Sequence, residues 1–228
     1  MHVLLVTAHP EPTSFTAALT ATAADALREA GHTVEVSDLY GEGFDPVAGR
    51  HDFVETAEPA RFHYQTEQGH AHATGTFAPD IAREQERFLR ADLVVWLYPI
   101  WWGNVPAIVK GWFDRVLAFG FAYADGKRFD TGFFPQKKGL LCLTTGGTRE
   151  RFSRDGVYGE LDQVLWPVQR LVIEYLGMQA QEPFVAYAAP RVDQATRENY
   201  LAAGRDRILA VAGPAPATAS LEAEASPQ

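Results

Sequence analysis

The chain has 228 residues, 46% of them hydrophobic, with 29 acidic against 20 basic side chains and a net charge of −9. That is enough apolar material for one sizeable core, and the acidic excess argues against nucleic acid as the main partner, because phosphate binding needs clustered Lys and Arg. No apolar run approaches the roughly 18 residues of a membrane span, and the chain opens on a strand rather than a basic, then apolar, leader, so a soluble cytoplasmic protein is expected. The single cysteine, Cys142, rules out an internal disulfide and a cysteine-based metal site. It alternates with aliphatics in a predicted strand and is expected to be a buried small hydrophobe.

In chain order, 2–8 is a short β-branched run followed by the turn His9-Pro10-Glu11-Pro12. Phe15, Leu19, Ala23, Ala26 and Leu27 then recur at helical spacing, with Thr13 or Ser14 as N-cap and Gly31 as C-cap. Thr33 to Val36 reads as a second strand, completing the opening unit of a parallel sheet. The stretch 38–79 shows little periodicity and several histidines (His51, His63, His70, His72), and so long a connection in a compact domain is usually functional. Asp80 is expected to cap a helix burying Ile81, Gln85, Phe88 and Leu89.

The most apolar strand, Leu93 to Leu97, reads as central and buried on both faces. It runs into Tyr98-Pro99-Ile100-Trp101-Trp102-Gly103-Asn104, after which Pro106 sits in the first turn of a helix. A loop over 121–136 leads to a strand over 139–144 and the turn Thr145-Gly146-Gly147-Thr148. A helix with Pro167 inside it, which predicts a kink or a later start, ends at Gly177. A fifth strand over 179–187 and a closing helix over 193–211 follow, and the Ala/Pro/Glu/Ser-rich residues 212–228 are expected to be a disordered tail. The expected fold is α/β and flavodoxin-like, a doubly wound parallel sheet of five strands in order 2-1-3-4-5, as one domain over 1–211.

In such a sheet the ligand sits beyond the carboxyl ends of the strands where the winding reverses, here between strands one and three. Three turns meet there. The first places hydroxyls and free N–H groups at a helix N-terminus, which suits a phosphate, although N-capping by Thr13 and Ser14 accounts for the same residues. His9 is a phosphate contact or simply a turn histidine. The second, Tyr98 to Asn104, exposes large aromatics that need a cover, either a flat ring stacked on them or a dimer partner. The third, Thr144-Thr145-Gly146-Gly147, has backbone that can approach a ligand closely and leaves space above it. Neither GxxxxGK[ST] nor GxGxxG is present.

The segments Leu39-Tyr40, Pro59-Ala60-Arg61-Phe62, Ala78-Pro79-Asp80-Ile81, Val105 to Val116, Thr144-Thr145-Gly146-Gly147 and Leu165-Trp166-Pro167 resemble the NAD(P)H:quinone oxidoreductases of the DT-diaphorase type. The likeness covers about 2–210. It implies a homodimer with a flavin at the subunit interface, FAD more than FMN because 38–79 is similar to the FAD-type version. It also implies a ping-pong hydride transfer from NAD(P)H through the flavin to quinones or similar acceptors. By the same resemblance, Ser14 with His9, Phe15 and Thr16 holds the phosphates, and Pro99, Ile100, Trp101, Trp102 and Gly103 carry the ring. Thr144, Thr145, Gly146 and Gly147 face its pyrimidine edge, and His63 and Arg197 approach the dinucleotide. Tyr123 closes over the substrate beside Trp102, Gly146 and Tyr158.

The family's tyrosine and histidine beside the ring fall at Phe152 and Tyr158. Phe152 cannot donate a hydrogen bond, so the backbone N–H groups of Gly146 and Gly147 together with Tyr158 are expected to stabilise charge on the reduced ring. No metal site is expected, since His70 and His72 alternate on a presumed loop with no third ligand. Two other readings remain: a non-enzymatic flavodoxin-like electron carrier or regulatory subunit, and an azo or nitro reductase.

Overall fold

The computed structural model describes residues 1–215. Strand β1 (His2–Thr7) leads through helix α1 (Phe15–Glu29) to β2 (Thr33–Asp38). Helices α2 (Tyr64–Thr74) and α3 (Pro79–Arg90) precede β3 (Leu93–Pro99), and α4 (Ala107–Val116) precedes β4 (Lys138–Thr144). Helix α5 (Leu161–Val168), the short strands β5 (Gln179–Ala180) and β6 (Phe184–Ala186), and α6 (Gln194–Ala212) complete the fold. All pairings are parallel, in the order β2-β1-β3-β4, with β5 and β6 succeeding one another along the free edge of β4. The expected order therefore holds, while the fifth strand is two pieces separated at 181–183, where Pro183 has no N–H for the ladder.

Alternation along the strands sorts the core into two layers. Val3, Leu5, Val95, Leu97 and Cys142 face α1 and α6, while Leu4, Val6, Val94, Trp96 and Leu141 face α3, α4 and α5. Every residue of β3 is buried, as a strand covered by helices on both sides requires. Burial pushes the Cys142 thiol well above its usual range, so it stays protonated.

Local expectations for 38–79, Leu89 and Asp80 are not met, while the one for Pro167 is. The 38–79 connection contains α2, which lacks an apolar period because its inward face is Glu67, Gln68 and Ala71. Glu67 accepts from the N–H groups of Ala57 and Glu58 at 2.6 and 3.2 Å, and Gln68 bridges the Asp114 carbonyl and the Phe119 N–H at 3.1 Å each. His70 and His72 thus lie on a helix, not a loop. Leu89 is 54% exposed, and Asp80 lies in the first turn of α3 rather than capping it. At the Pro167 position, which supplies no N–H to the preceding turn, α5 gives way to a π-helical turn over Gln169–Ile173 before Gly177 ends the run in a left-handed conformation. Of the expected tail, residues 216–228 lie outside the described residues.

The long connection is pinned by a buried ion cluster. Arg115 on α4 is 1% exposed and pairs with Asp52 at 2.9 Å and Asp80 at 2.8 Å, while also donating to the Asp45 carbonyl at 2.6 Å. Asp52, fully buried, also accepts from the Tyr64 hydroxyl at 2.5 Å. Burial and that neighbouring carboxylate both push the Tyr64 phenol far up. One turn earlier, a Cβ on Gly111 would lie 2.2 Å from the Pro46 carbonyl, so only glycine lets the loop lie flat on α4. A second cluster centres on Glu84, which accepts from Ser37 at 2.7 Å, Trp112 Nε1 at 2.8 Å and Arg87 at 2.6 Å.

Removing one partner from a buried pair leaves an uncompensated charge. Asp52→Asn is therefore expected to cost about 3–5 kcal/mol of stability, read from urea unfolding by circular dichroism. A loss below about 1 kcal/mol, the range of a surface pair, would show that the cluster does not hold the connection down.

Candidate functional site

Beyond the carboxyl ends of β1, β3 and β4 lies a cavity of about 420 Å³, within the usual range for small-molecule sites. Its walls include His9, Ser14, Phe15, Thr16, Pro99, Ile100, Trp101, Thr144, Thr145, Gly146 and Arg197. The three turns expected to converge do converge here. Glu11, Ala189 and Pro190 also line it and had not been expected. The last two belong to the loop after β6, where the Ala-Ala-Pro run was a turn signal, and Ala188 takes a left-handed φ of 49°.

One end is built to hold an anion. Ser14 caps α1 by accepting from the Ala17 N–H at 3.1 Å, while the N–H groups of Phe15 and Thr16 have no partner among the described residues. Thr16 itself is buried, its hydroxyl 3.2 Å from that of Thr144, which ties α1 to the end of β4. His9 Nδ1 accepts from the Glu11 N–H at 3.0 Å, so in the neutral ring Nε2 carries the proton and can donate. Hydrogen bonds from the Thr13 hydroxyl and N–H hold the Glu11 carboxyl below its usual range and fix the loop. Arg197 stands at the far side, bonded to the Val192 carbonyl at 2.7 Å, and Phe15 meets Tyr200 edge-on at 6.5 Å.

The other end is flat and apolar. Ile100 is anchored by its N–H to the Thr144 carbonyl at 2.8 Å, and Trp101 and Asn104 bond each other at 3.0 Å both ways. That closes a two-residue turn in which Trp102 (φ 51°) and Gly103 (φ 68°) are both left-handed. A tryptophan there is strained, and its side chain is fully exposed. The N–H groups of Trp102 and Gly103 have no partner among the described residues.

The glycine turn differs from expectation. The Gly147 N–H is already donated to Thr145 Oγ1 at 3.1 Å, leaving only the Gly146 N–H without a partner among the described residues. Stabilisation by both glycine N–H groups is thus corrected to one. A Cβ on Gly146 would meet nothing nearer than Arg191 at 3.8 Å, so the space above it is open. A Cβ on Gly147 would lie 2.7 Å from the Phe152 ring and 3.0 Å from Tyr158. Phe152 and Tyr158 pack on each other at 5.1 Å, and the Tyr158 oxygen accepts from Arg151 at 3.4 Å, which leaves its own O–H free to donate.

Of the expected residues, Trp102, Gly103, Gly147, Phe152 and Tyr158 lie on the neighbouring turns without lining this cavity, and two more are placed elsewhere. Tyr123 and His63 line a separate apolar groove of about 980 Å³ between α2, α4 and the segment after α5. There His63 caps α2 through the Thr66 N–H, and burial holds the Tyr123 phenol above its usual range. Leu171, on the wall of this groove, and Trp166 are about half exposed, at 48% and 54%.

Residues 1–211 match a protein family described as having a flavodoxin-like fold. NAD(P)H dehydrogenase [quinone] 1 of Rattus norvegicus is 39% identical over 209 residues, 91% of this chain and 76% of that protein. Ribosyldihydronicotinamide dehydrogenase [quinone] of Pongo abelii is 39% identical over 210 residues, 92% of this chain and 91% of that protein. A structure described as a candidate quinone reductase from Klebsiella pneumoniae superposes with a TM-score of 0.89 at 36% identity, covering 95% of this chain and 86% of that one.

Adding one methyl group at each glycine separates packing from open space. Gly147→Ala is expected to displace Phe152 and Tyr158 and to weaken ligand binding in the cavity, whereas Gly146→Ala fits as it stands. Near-ultraviolet circular dichroism, reporting on the aromatic pair, should change only for the first; equal spectra would refute the packing described.

Proposed function

Because the chain belongs to the flavodoxin-like family, among its NAD(P)H:quinone oxidoreductases, we propose that it binds FAD in the cavity at the ends of β1, β3 and β4 and works as a homodimer. The observation that carries this reading is one continuous cavity with unspent N–H donors of Phe15 and Thr16 at one end and an aromatic bed at the other. When bound, the flavin supplies the redox chemistry, taking a hydride from a reduced nicotinamide and giving it to a quinone.

The chain's own residues position and polarise. Phe15 and Thr16 N–H groups, with His9 Nε2–H, offer three donors to a phosphate at the positive end of α1. Ile100 and Trp101 give the ring a floor, and the Trp102 and Gly103 N–H groups can meet heteroatoms at its edge. The Gly146 N–H and the Tyr158 hydroxyl are the donors available where negative charge gathers, and Phe152 offers only a packing surface. The open volume over Gly146 admits a nicotinamide and a quinone in turn, which makes the exchange two-step. Support for FAD over FMN is the extension of the cavity to Arg197, beside the Phe15–Tyr200 pair, beyond what one phosphate needs.

The apolar 980 Å³ groove, with Trp166 and Leu171 half exposed, supports a second copy as its cover. In that arrangement Tyr123 and His63 serve the neighbouring copy's site rather than their own. A cytoplasmic location fits a lone, buried, protonated thiol and a chain in which no described helix is long and apolar enough to cross a membrane.

Purified protein is expected to be yellow and to release a compound with the mass of FAD; release of FMN would overturn the dinucleotide assignment. Anaerobic mixing with NADH or NADPH should bleach the flavin band, and a band that stays unbleached would sink the enzymatic reading in favour of an electron carrier. Tyr158→Phe should slow flavin reduction by about ten- to a hundred-fold, the worth of one hydrogen bond to a charged group, with flavin content unchanged. Leu171→Asp should convert a dimer to a monomer in sedimentation and weaken flavin retention. A monomeric wild type would refute the dimer.

A further inference from the structure

Beside the glycine turn that borders the cavity, a group of arginines stands without carboxylate partners in an otherwise acidic chain. Arg191 stands at the Gly146–Gly147 turn, and Arg149, Arg151 and Arg154 follow it on the next segment; all four are exposed, and none lies within ion-pair distance of a carboxylate among the described residues. By contrast Arg83, Arg87, Arg90, Arg115 and Arg170 all pair with Asp or Glu.

Two of the four are held in place. Arg191 Nη1 donates to the Gly146 carbonyl at 2.5 Å, its Nη2 would be the nearest atom, at 3.8 Å, to a Cβ on Gly146, and its own N–H is tied to the Ala188 carbonyl at 2.7 Å. One donor spent in this way leaves four on the guanidinium. Arg149 stacks over the Tyr187 ring at 4.8 Å, and the Ala188 N–H next to that ring bonds the Gly147 carbonyl at 2.8 Å. Both guanidiniums are therefore fixed relative to the glycine turn. Carboxylates are near as well: Glu150 follows Arg149 directly, and Glu160, Asp162 and Glu182 share the groove of Arg149 and Arg154. Arg191 is outside that groove and faces the open side of the turn.

We infer that Arg191, assisted by Arg149, is a specificity-determining contact for an anionic oxyacid group on the molecule that stacks over Gly146. This rests on the proposed flavoenzyme reading and narrows it to the charge of the redox partner. A planar fork with several free donors matches phosphate, sulfonate or carboxylate oxygens. The group could be the pyrophosphate of a reduced pyridine dinucleotide or an acid substituent on the acceptor. The two differ in which half of the turnover they control.

The test compares wild type with Arg191→Gln and with Arg191→Gln/Arg149→Gln, each assayed as the flavin-loaded full chain. Donors are NADH and dihydronicotinamide riboside, which lacks phosphate; acceptors are a neutral naphthoquinone and its sulfonate. Flavin content and melting temperature are expected to stay at the wild-type level, since both side chains are exposed. A loss of about ten- to a hundred-fold in flavin reduction by NADH, with the riboside unaffected, supports the inference and identifies the donor as the anion. The same loss confined to the sulfonated acceptor supports it and identifies the acceptor. Equal losses with charged and uncharged partners would mean that Arg191 acts only through the Gly146 carbonyl, and no loss would mean it acts on nothing; either overturns the inference. If wild-type flavin is reduced by neither donor, the enzymatic reading itself fails, a result distinct from failure of the arginine contact.

Discussion

The buried pairing of Arg115 with Asp52 and Asp80 is the constraint on which the rest of this architecture depends. A connection as long as 38–79 carries a large entropy cost if it is to lie in one conformation. It has few aliphatics with which to offset that cost, and it is held instead by polar contacts made in the dry interior: Asp52 to Arg115, Glu67 to two backbone N–H groups, and Gln68 to Asp114 and Phe119. The net worth of a buried ion pair is small against an apolar replacement, but its geometry is exacting. The cluster therefore fixes where the connection goes more than how stable the fold is.

That changes how the most distinctive stretch of the chain is understood. Lys110-Gly111-Trp112-Phe113-Asp114-Arg115 lines no part of the strand-end cavity. Gly111 admits the Pro46 backbone, Trp112 satisfies Glu84 in the core, and Arg115 gathers Asp45, Asp52 and Asp80. Its residue types are demanded by packing and charge satisfaction. By placing the connection against α4 it shapes one wall of the apolar groove beside Tyr123 and leaves the ends of β1, β3 and β4 open.

At those strand ends, function is a matter of which donors remain unspent. A helix N-terminus always has free N–H groups, but Ser14 satisfies only that of Ala17, and the two before it belong to residues lining the cavity. The left-handed turn at Trp102–Gly103, with strain at Trp102, leaves two more without partners, and Thr145 consumes the Gly147 N–H while leaving that of Gly146. The rim adds Arg191, a fixed cation beside open space in a molecule whose overall charge is −9. The sheet contributes rigidity, and these few groups are what the strand ends present to a ligand.

The sequence by itself determined the alternation of strands and helices, their order in the sheet, the buried centre at β3 and the identity of the three turns, because hydrophobic period and turn chemistry are local properties. Only the tertiary structure decided the rest. Helix α2 has an inward face of Glu67 and Gln68, whose partners lie as far away as Asp114 and Phe119, so no period announces it. The last strand is broken at 181–183, and the Gly147 N–H is already spent on a side chain two residues away. Tyr123 and His63 are placed in a different groove from the cavity they were matched to. In each case the outcome depends on whether a polar group or a ring finds its partner nearby in space, and neighbours in space are chosen by the whole fold.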